Sequence, residues 1–503
     1  MTSTRALHIF NLSVALTLAA CGTAEPSSEH VHGDPRTSVG APAAERGAGL
    51  PGETYDALAE NDFIETAKQP VSTFGVDVDT ASYSLMRRDV LQGRLPNQNG
   101  VRPEEYVNYF RYSYPQPSGE HPFSVTVDGA PSHFGEGLHL VRIGLQGKVI
   151  PAEQRQRANL VFLVDVSGSM SMTNKLPLVQ YTLKQLVKRL EPSDTLGIVT
   201  YAGSDRVVLE PTPVTNKSMI LDAIDSLMAG GGTNGEGGIR KAYELASKAK
   251  TQDSINRVVL CTDGDFNVGA TGDELVRIIE QARDTGVTLT TLGFGQGNYN
   301  DSIMEKLADH GNGNYAFIDG PGEANRVLGE KLVSTLQVIA KDVKVQVEFN
   351  PDAAVRYRLI GYENRVMSNE DFRNDQKDSG EIGAGHSVTA FYEVELTEAA
   401  KSGSLKDGAL AKVRLRYKQP EGDQATELER SLTVGALAPS FEAAPSDLRF
   451  AAGVVEFAEI LRRSKHSQGA RFDDILAIVN ATAGDDPDRI ELRSLVEKAK
   501  GLW

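Results

Sequence analysis

Asp165, Ser167 and Ser169 place one carboxylate and two hydroxyls at alternate positions of Asp165-Val166-Ser167-Gly168-Ser169-Met170. All three are hard oxygen donors of the kind a small divalent cation takes. Thr233, in Gly230-Gly231-Gly232-Thr233-Asn234-Gly235, adds a third hydroxyl on a glycine-rich loop. Asp263, in Val258-Val259-Leu260-Cys261-Thr262-Asp263-Gly264, adds a second carboxylate. The first run alone is a weak signal, because any strand-to-helix loop can hold an acid and serines as caps. Together, in this order, the three pieces describe a cation site with two carboxylates and three neutral hydroxyls. Mg2+ suits such a set and keeps several waters, one of which an external carboxylate can replace; Mn2+ and Ca2+ are the other candidates.

The elements around these residues are those such a site needs. The apolar run Leu160–Val164 reads as a buried parallel strand that stops at an acid, and Val258–Cys261 repeats the design. Strands are expected at 160–164, 195–201, 205–210, 257–261, 287–293 and 314–318. Helices are expected at 175–190, 217–228, 235–249, 272–284, 301–309 and 322–341. This alternation predicts an α/β fold with a doubly wound, mostly parallel sheet, in which 205–210 is an antiparallel edge strand after a turn at Gly203-Ser204. Ligands of such sheets bind at the carboxyl ends of the strands. Gly293-Phe294-Gly295-Gln296-Gly297 lacks the spacing of a dinucleotide loop and reads as a tight turn. The triple glycine before Thr233 lacks the lysine of a phosphate loop.

The three pieces resemble the von Willebrand factor type A (VWA) domain with its metal-ion-dependent adhesion site, and no ligand position departs from that pattern. The resemblance implies a Rossmann-like domain. It also implies that Ser167 and Ser169 bind the metal directly, Thr233 directly or through water, and Asp165 and Asp263 largely through water. Phe74-Gly75-Val76-Asp77-Val78-Asp79-Thr80-Ala81-Ser82-Tyr83 and Glu104–Phe110 resemble the N-terminal region of a bacterial family of type A proteins. Leu359–Arg365 and Gly383–His386 resemble that family's C-terminal region.

The expected organisation is a lipoprotein signal at 1–20, a disordered tether at 21–70, a small α+β domain at 71–156, the VWA domain at 157–341, and a β-rich domain ending in helices at 342–503. In the small domain a strand at 74–78 leads to a helix from Ala81 to Gln92, capped by Asp79 or Thr80. Tyr106, Val107, Tyr109 and Phe110 form an aromatic stripe read as core. Beyond Lys341, strands at 343–349, 355–360, 388–396, 411–417 and 428–434 suggest a sheet or small sandwich, closed by helices near 447–462, 472–480 and 488–500. His386, in a glycine turn with no evident partner, is read as structural, and Cys261 as a small core residue.

Arg5 and the short apolar run Ile9–Ala20 end in Leu18-Ala19-Ala20-Cys21-Gly22. Small residues before a cysteine resemble the bacterial lipoprotein signal, which lipidates Cys21; the alternative is an ordinary secretory signal cut near Ala20. The apolar run is too short to span a bilayer. Gly22 is not the aspartate that retains many lipoproteins at the inner membrane, so the expected address is the cell envelope, with the outer membrane or cell surface as default. The 503 residues carry 52 Lys+Arg against 68 Asp+Glu, a net charge of −16, which argues against nucleic acid as a partner. The expected function is metal-dependent binding of a protein ligand through one of its acidic residues, with no catalysis. Two alternatives are an assembly subunit for an ATPase-type partner and a metal-dependent hydrolase. Neither a His-Glu-x-x-His run nor a nucleophile elbow supports the latter.

Overall fold

The computed structural model describes residues 50–232, 235–251, 254–265, 272–330, 336–467, 469 and 471–503. The signal segment, Cys21, the tether up to residue 49, and Thr233 lie outside these residues.

The chain begins with β1 (Ile64–Glu65), β2 (Val71–Gly75), α1 (Ala81–Leu91), α2 (Pro103–Tyr109), β3 (Phe123–Pro131) and β4 (Leu138–Gly147). The central α/β part follows: β5 (Arg157–Asp165), α3 (Leu176–Arg189), β6 (Thr195–Tyr201), β7 (Asp205–Pro213), α4 (Lys217–Asp225), α5 (Gly235–Ala249) and β8 (Ser254–Thr262). It continues with α6 (Gly272–Asp284), β9 (Thr288–Phe294), α7 (Asp301–His310), β10 (Tyr315–Ile318) and α8 (Pro321–Asn325). Then come β11 (Val338–Phe349), β12 (Ala354–Ile360), β13 (Ile382–Gly383), β14 (Ser387–Leu396), β15 (Ala409–Lys418), β16 (Ala425–Thr433), α9 (Ser446–Leu461), α10 (Phe472–Thr482) and α11 (Pro487–Leu502).

The central sheet has the order β10-β9-β8-β5-β6-β7. β5 pairs parallel with both β6 and β8, and β7 closes the edge antiparallel to β6, as expected. The apolar run of β5 is buried on both faces. Leu160, Phe162 and Val164 enter a core with Val179, Leu183 and Leu186 of α3. Val161 and Leu163 enter another with Ile239, Ala242 and Leu245 of α5 and Ile279 of α6. Strand order reverses between β5 and β8, the crevice where open parallel sheets bind ligands.

The end of this part differs from expectation. The helix expected over 322–341 gives way to a wider helical turn at Arg326–Glu330, and by Val338 the chain is already strand β11. The strand expected at 343–349 is present but starts five residues earlier, and Ile339 and Ala340, placed in the helix by the sequence, join the same core as Val343, Val345, Val347 and Phe349.

The two flanks expected as separate domains share their sheets. One sheet runs β1-β12-β14-β4-β3 and the other β13-β11-β15-β16, with β2 also paired to β11. They face each other across one core containing Ile143, Leu145, Tyr392 and Val394 on one side and Val345, Val413 and Leu415 on the other. Strands on both sides of the VWA segment therefore close a single sandwich. Residues 50–70, expected as part of a tether, are instead built into the body: β1 pairs with β12, and Thr66 is buried.

Outside the sandwich, Leu140, Ile360 and Phe391 join Tyr106, Tyr109 and Phe110 of the aromatic stripe and Phe450, Val454 and Phe457 of α9 in a second core. The stripe is core, and the closing helices pack on the sheet. Asp79 and Thr80 do not cap α1 through their side chains. Instead Asp79 accepts from the Tyr315 amide of β10 at 2.8 Å, joining a flank to the central sheet. Cys261 is buried in β8 as expected, and burial pushes its thiol up. His386 stays within its turn, where Nδ1 accepts from the Gly383 amide at 3.2 Å. Among the described residues, no helix is long and apolar enough to cross a membrane.

Candidate metal-ion site and family membership

Asp165 is the last residue of β5 and fully buried. Its Oδ1 accepts from the Ser167 amide at 2.8 Å, which ties the start of the loop back to the end of the strand. Its Oδ2 accepts from the Tyr201 hydroxyl at 3.1 Å and the Thr262 hydroxyl at 3.0 Å, one from each neighbouring strand. Burial pushes the Asp165 carboxyl up, and the hydrogen bonds from Ser167 oppose that shift.

The Ser167 and Ser169 hydroxyls lie 3.0 Å apart in front of this carboxylate. An octahedral Mg2+ with bonds of about 2.1 Å separates adjacent ligands by about 3.0 Å, so the pair fits one edge of such a shell. Asp263, just beyond β8, is fully buried; its Oδ1 accepts from the Asp265 amide at 3.2 Å. Both oxygens of each acid thus already hold protein donors, which suits contact through water rather than direct ligation.

The glycine loop reaches the same place. The Gly168 amide donates to the Gly231 carbonyl at 3.1 Å, and the Gly230 amide donates to the Val166 carbonyl at 2.7 Å. Gly231 has φ +92°, a conformation that favours glycine. The first and second motifs are therefore bonded backbone to backbone. Asp165, Ser167, Ser169 and Asp263 come together as expected, while Thr233 itself lies outside the described residues.

Two residues in the site carried no signal in the motif. Lys175, just before α3, donates from Nζ to Asp263 Oδ2 at 2.8 Å and to Asn298 Oδ1 at 3.1 Å. Asn298 in turn donates from Nδ2 to Asp265 Oδ2 at 3.1 Å. Asp265 is thereby tied to the 295–300 loop. Among the described residues, no group of three or more His, Cys, Asp or Glu could hold a metal. The donor set here relies on hydroxyls, so it is not a group of that kind.

Residues 159–326 match the von Willebrand factor type A domain, residues 50–142 a family described as von Willebrand factor, and residues 334–502 the family "Uncharacterized protein YfbK, C-terminal". The uncharacterized protein YfbK of Escherichia coli K12 is 39% identical over 474 residues, spanning 89% of this chain and 81% of that protein. The chain belongs to the YfbK family. A shorter relative, the uncharacterized protein sll0103 of Synechocystis, is 29% identical over 42% of this chain and 50% of its own length. Among solved structures, a von Willebrand factor type A protein from Catenulispora acidiphila aligns with a TM-score of 0.43 at 17% identity, over 75% of this chain and 90% of that one. Proximal thread matrix protein 1 from the mussel byssus, solved with a zinc-occupied MIDAS motif, aligns with a TM-score of 0.31 at 21% identity, over 36% of this chain and 48% of that one. In this chain the type A domain is thus set between two family-matched segments that contribute to one sandwich. The type A domain points to a protein-interaction function of the adhesion kind, and domains with this motif bind divalent metals.

Proposed function

We propose that this chain is an envelope-anchored protein that binds a protein ligand through a Mg2+-dependent adhesion site. The observation that carries this reading is the Ser167–Ser169 hydroxyl pair, set 3.0 Å apart before two buried carboxylates at the switch point of the sheet. Ser167 and Ser169 would hold the cation directly, and Thr233 directly or through water. Asp165 and Asp263 would orient its water shell. Bound Mg2+ supplies a concentrated positive charge and an exchangeable water position, which an Asp or Glu of the partner can take. Lipid on Cys21 would tie the chain to the membrane, with the outer membrane or cell surface as its address.

The test is a pull-down from envelope extract with the chain lacking residues 1–21, in Mg2+ and in EDTA. The expected result is a partner retained only in Mg2+, and lost in Ser167→Ala/Ser169→Ala. A partner held equally under all conditions would place recognition on the flanks and remove the metal from it. Incorporation of labelled palmitate into the full chain, absent from Cys21→Ala, tests the anchor.

A further inference from the structure

Lys175 is buried with its side chain only 3% exposed, and its charge faces Asp263. A buried ammonium is stable only when paired and held by hydrogen bonds. Here it has the Asp263 carboxylate at 2.8 Å and the Asn298 side-chain carbonyl at 3.1 Å. The aliphatic stem lies along Gly295. A Cβ on that residue would overlap the Lys175 stem, and Gly295 has φ +84°. The glycine turn Gly293–Gly297 thus has a specific use: it leaves room for Lys175 to reach the site.

Beyond the loop, Asn298 is tied to Asp265, and the Gly297 amide donates to Glu53 Oε1 at 3.0 Å. The ammonium is held from its own helix start, from the loop and from Asp263. It is part of the built site, not a surface lysine folded inward.

This changes the charge balance. Of the two motif acids and the ammonium paired with Asp263, Asp165 and Asp263 contribute two negative charges and Lys175 one positive, −2 + 1 = −1; Asp265, bonded to Asn298, is outside this sum. A divalent cation leaves the sum at +1 rather than neutral. We propose that Lys175 is a fixed positive charge of the metal site that sets its ligand class. It weakens the hold on the cation, and it strengthens the pull of the loaded site on a carboxylate over a neutral oxygen ligand. The inference rests on the metal-dependent reading above and adds to it the source of the acid preference.

The two effects have opposite signs when the charge is removed, and this makes them separable. The experiment uses the full chain with Mn2+, read by electron paramagnetic resonance. Acetate is the carboxylate probe, read by the water-proton relaxation of the Mn2+-loaded protein at constant ionic strength. Lys175→Gln keeps an N–H donor near Asp263 and removes the charge; Lys175→Arg keeps the charge. Unchanged far-ultraviolet circular dichroism establishes that each variant is folded.

Lys175→Gln is expected to bind Mn2+ about tenfold more tightly and, once loaded, to bind acetate about tenfold more weakly, while Lys175→Arg keeps native acetate affinity. Tighter Mn2+ with unchanged acetate affinity would mean that Lys175 leaves the site on loading, and would overturn the proposal. Unchanged affinity for both probes would also overturn it, with the metal-dependent reading intact. A native chain that takes up no Mn2+ would instead overturn that reading, and this inference with it. Should Lys175→Gln fail to fold, Asn298→Ala, which frees the ammonium from one anchor, is expected to shift both affinities in the same directions by a smaller factor; no shift would overturn the proposal.

Discussion

Replacing Arg102 with methionine tests how the flanks hold the central domain. Arg102 precedes α2, and its guanidinium meets Asp301, the first residue of α7. Nη1 lies 2.6 Å from Oδ2 and Nη2 3.2 Å from Oδ1. Nε donates to Glu105 Oε1. All three side chains are almost wholly buried, at 4%, 1% and 0% exposure. Removing one partner of a buried pair costs about 3–5 kcal/mol, because the other charge stays behind. Each acid retains another donor, the Tyr315 hydroxyl for Asp301 at 2.7 Å and the Ser82 amide for Glu105 at 2.7 Å. That favours the lower end, about 3 kcal/mol.

The pH dependence follows from Glu105. Burial pushes its carboxyl up, and Arg102 holds it back. A carboxyl raised in the folded state binds more protons there than when unfolded, so its contribution to stability is present at low pH and lost as pH rises through the raised value. Without Arg102 the value rises further and the loss continues to higher pH. Urea unfolding followed by circular dichroism will show a larger deficit for Arg102→Met at about pH 8 than at about pH 5. Adding Glu105→Gln and Asp301→Asn will recover at least half of it. A deficit below about 1 kcal/mol at the higher pH, or a larger one at the lower pH, would refute the reasoning.

Burial pushes the Glu456 carboxyl up to about 7, and its Oε1 accepts from the Ser467 hydroxyl at 2.7 Å. By the same sign rule native stability falls by about 3 kcal/mol as pH rises from the ordinary glutamate range through that value, and Glu456→Gln flattens this part of a melting-temperature profile. In Gly313→Ala the new Cβ would overlap the Leu289 carbonyl oxygen, which belongs to β9 and cannot swing aside. The variant is expected to lose about 3 kcal/mol in urea unfolding. Tyr201→Phe removes one of the donors to Asp165 Oδ2 and leaves Thr262. It is expected to weaken Mn2+ binding about tenfold, measured by electron paramagnetic resonance, with little change in the fold.

The central domain was legible in the sequence because its signals are local. Leu160–Val164 and Val258–Cys261 are unbroken apolar runs, and each stops at the acid it positions. The strand Thr195–Tyr201 begins and ends where its pattern does. The flanks were legible strand by strand but not as a body. The apolar residues of Leu138–Gly147 mark a buried strand, with Leu140 in one core and Ile143 and Leu145 in the other, yet nothing in them names Ser387–Leu396 as the partner strand more than two hundred residues on. The same limit hid β1, since a two-residue strand has no period to read. Lys175 escaped for a different reason. A lysine at the start of a helix is ordinarily solvated, and only the bare backbone at Gly295, distant in sequence, makes its burial possible.

The loop after β9 connects these two levels. Its inner side serves the site: Asn298 bonds Lys175 and Asp265, and a Cβ on Gly264 would press against the Asn300 amide. Its outer side is held by residues before and within the first flank. Arg88 of α1 pairs with Glu53 at 2.8 Å and donates to the Gly295 carbonyl at 3.3 Å. The Thr54 amide donates to the Tyr299 carbonyl at 2.9 Å, and the Asp301 amide donates to the Thr54 carbonyl at 3.1 Å. A loop of this kind, exposed on both sides, would sample many conformations, and each would move Asn298 and release Lys175. Clamped between the flank and the motif, it holds Asn298 against Lys175. The segment Gly52–Tyr55 therefore helps to fix the charge beside the candidate metal. The flanks are not only a platform for the type A domain: they complete the wall of its site.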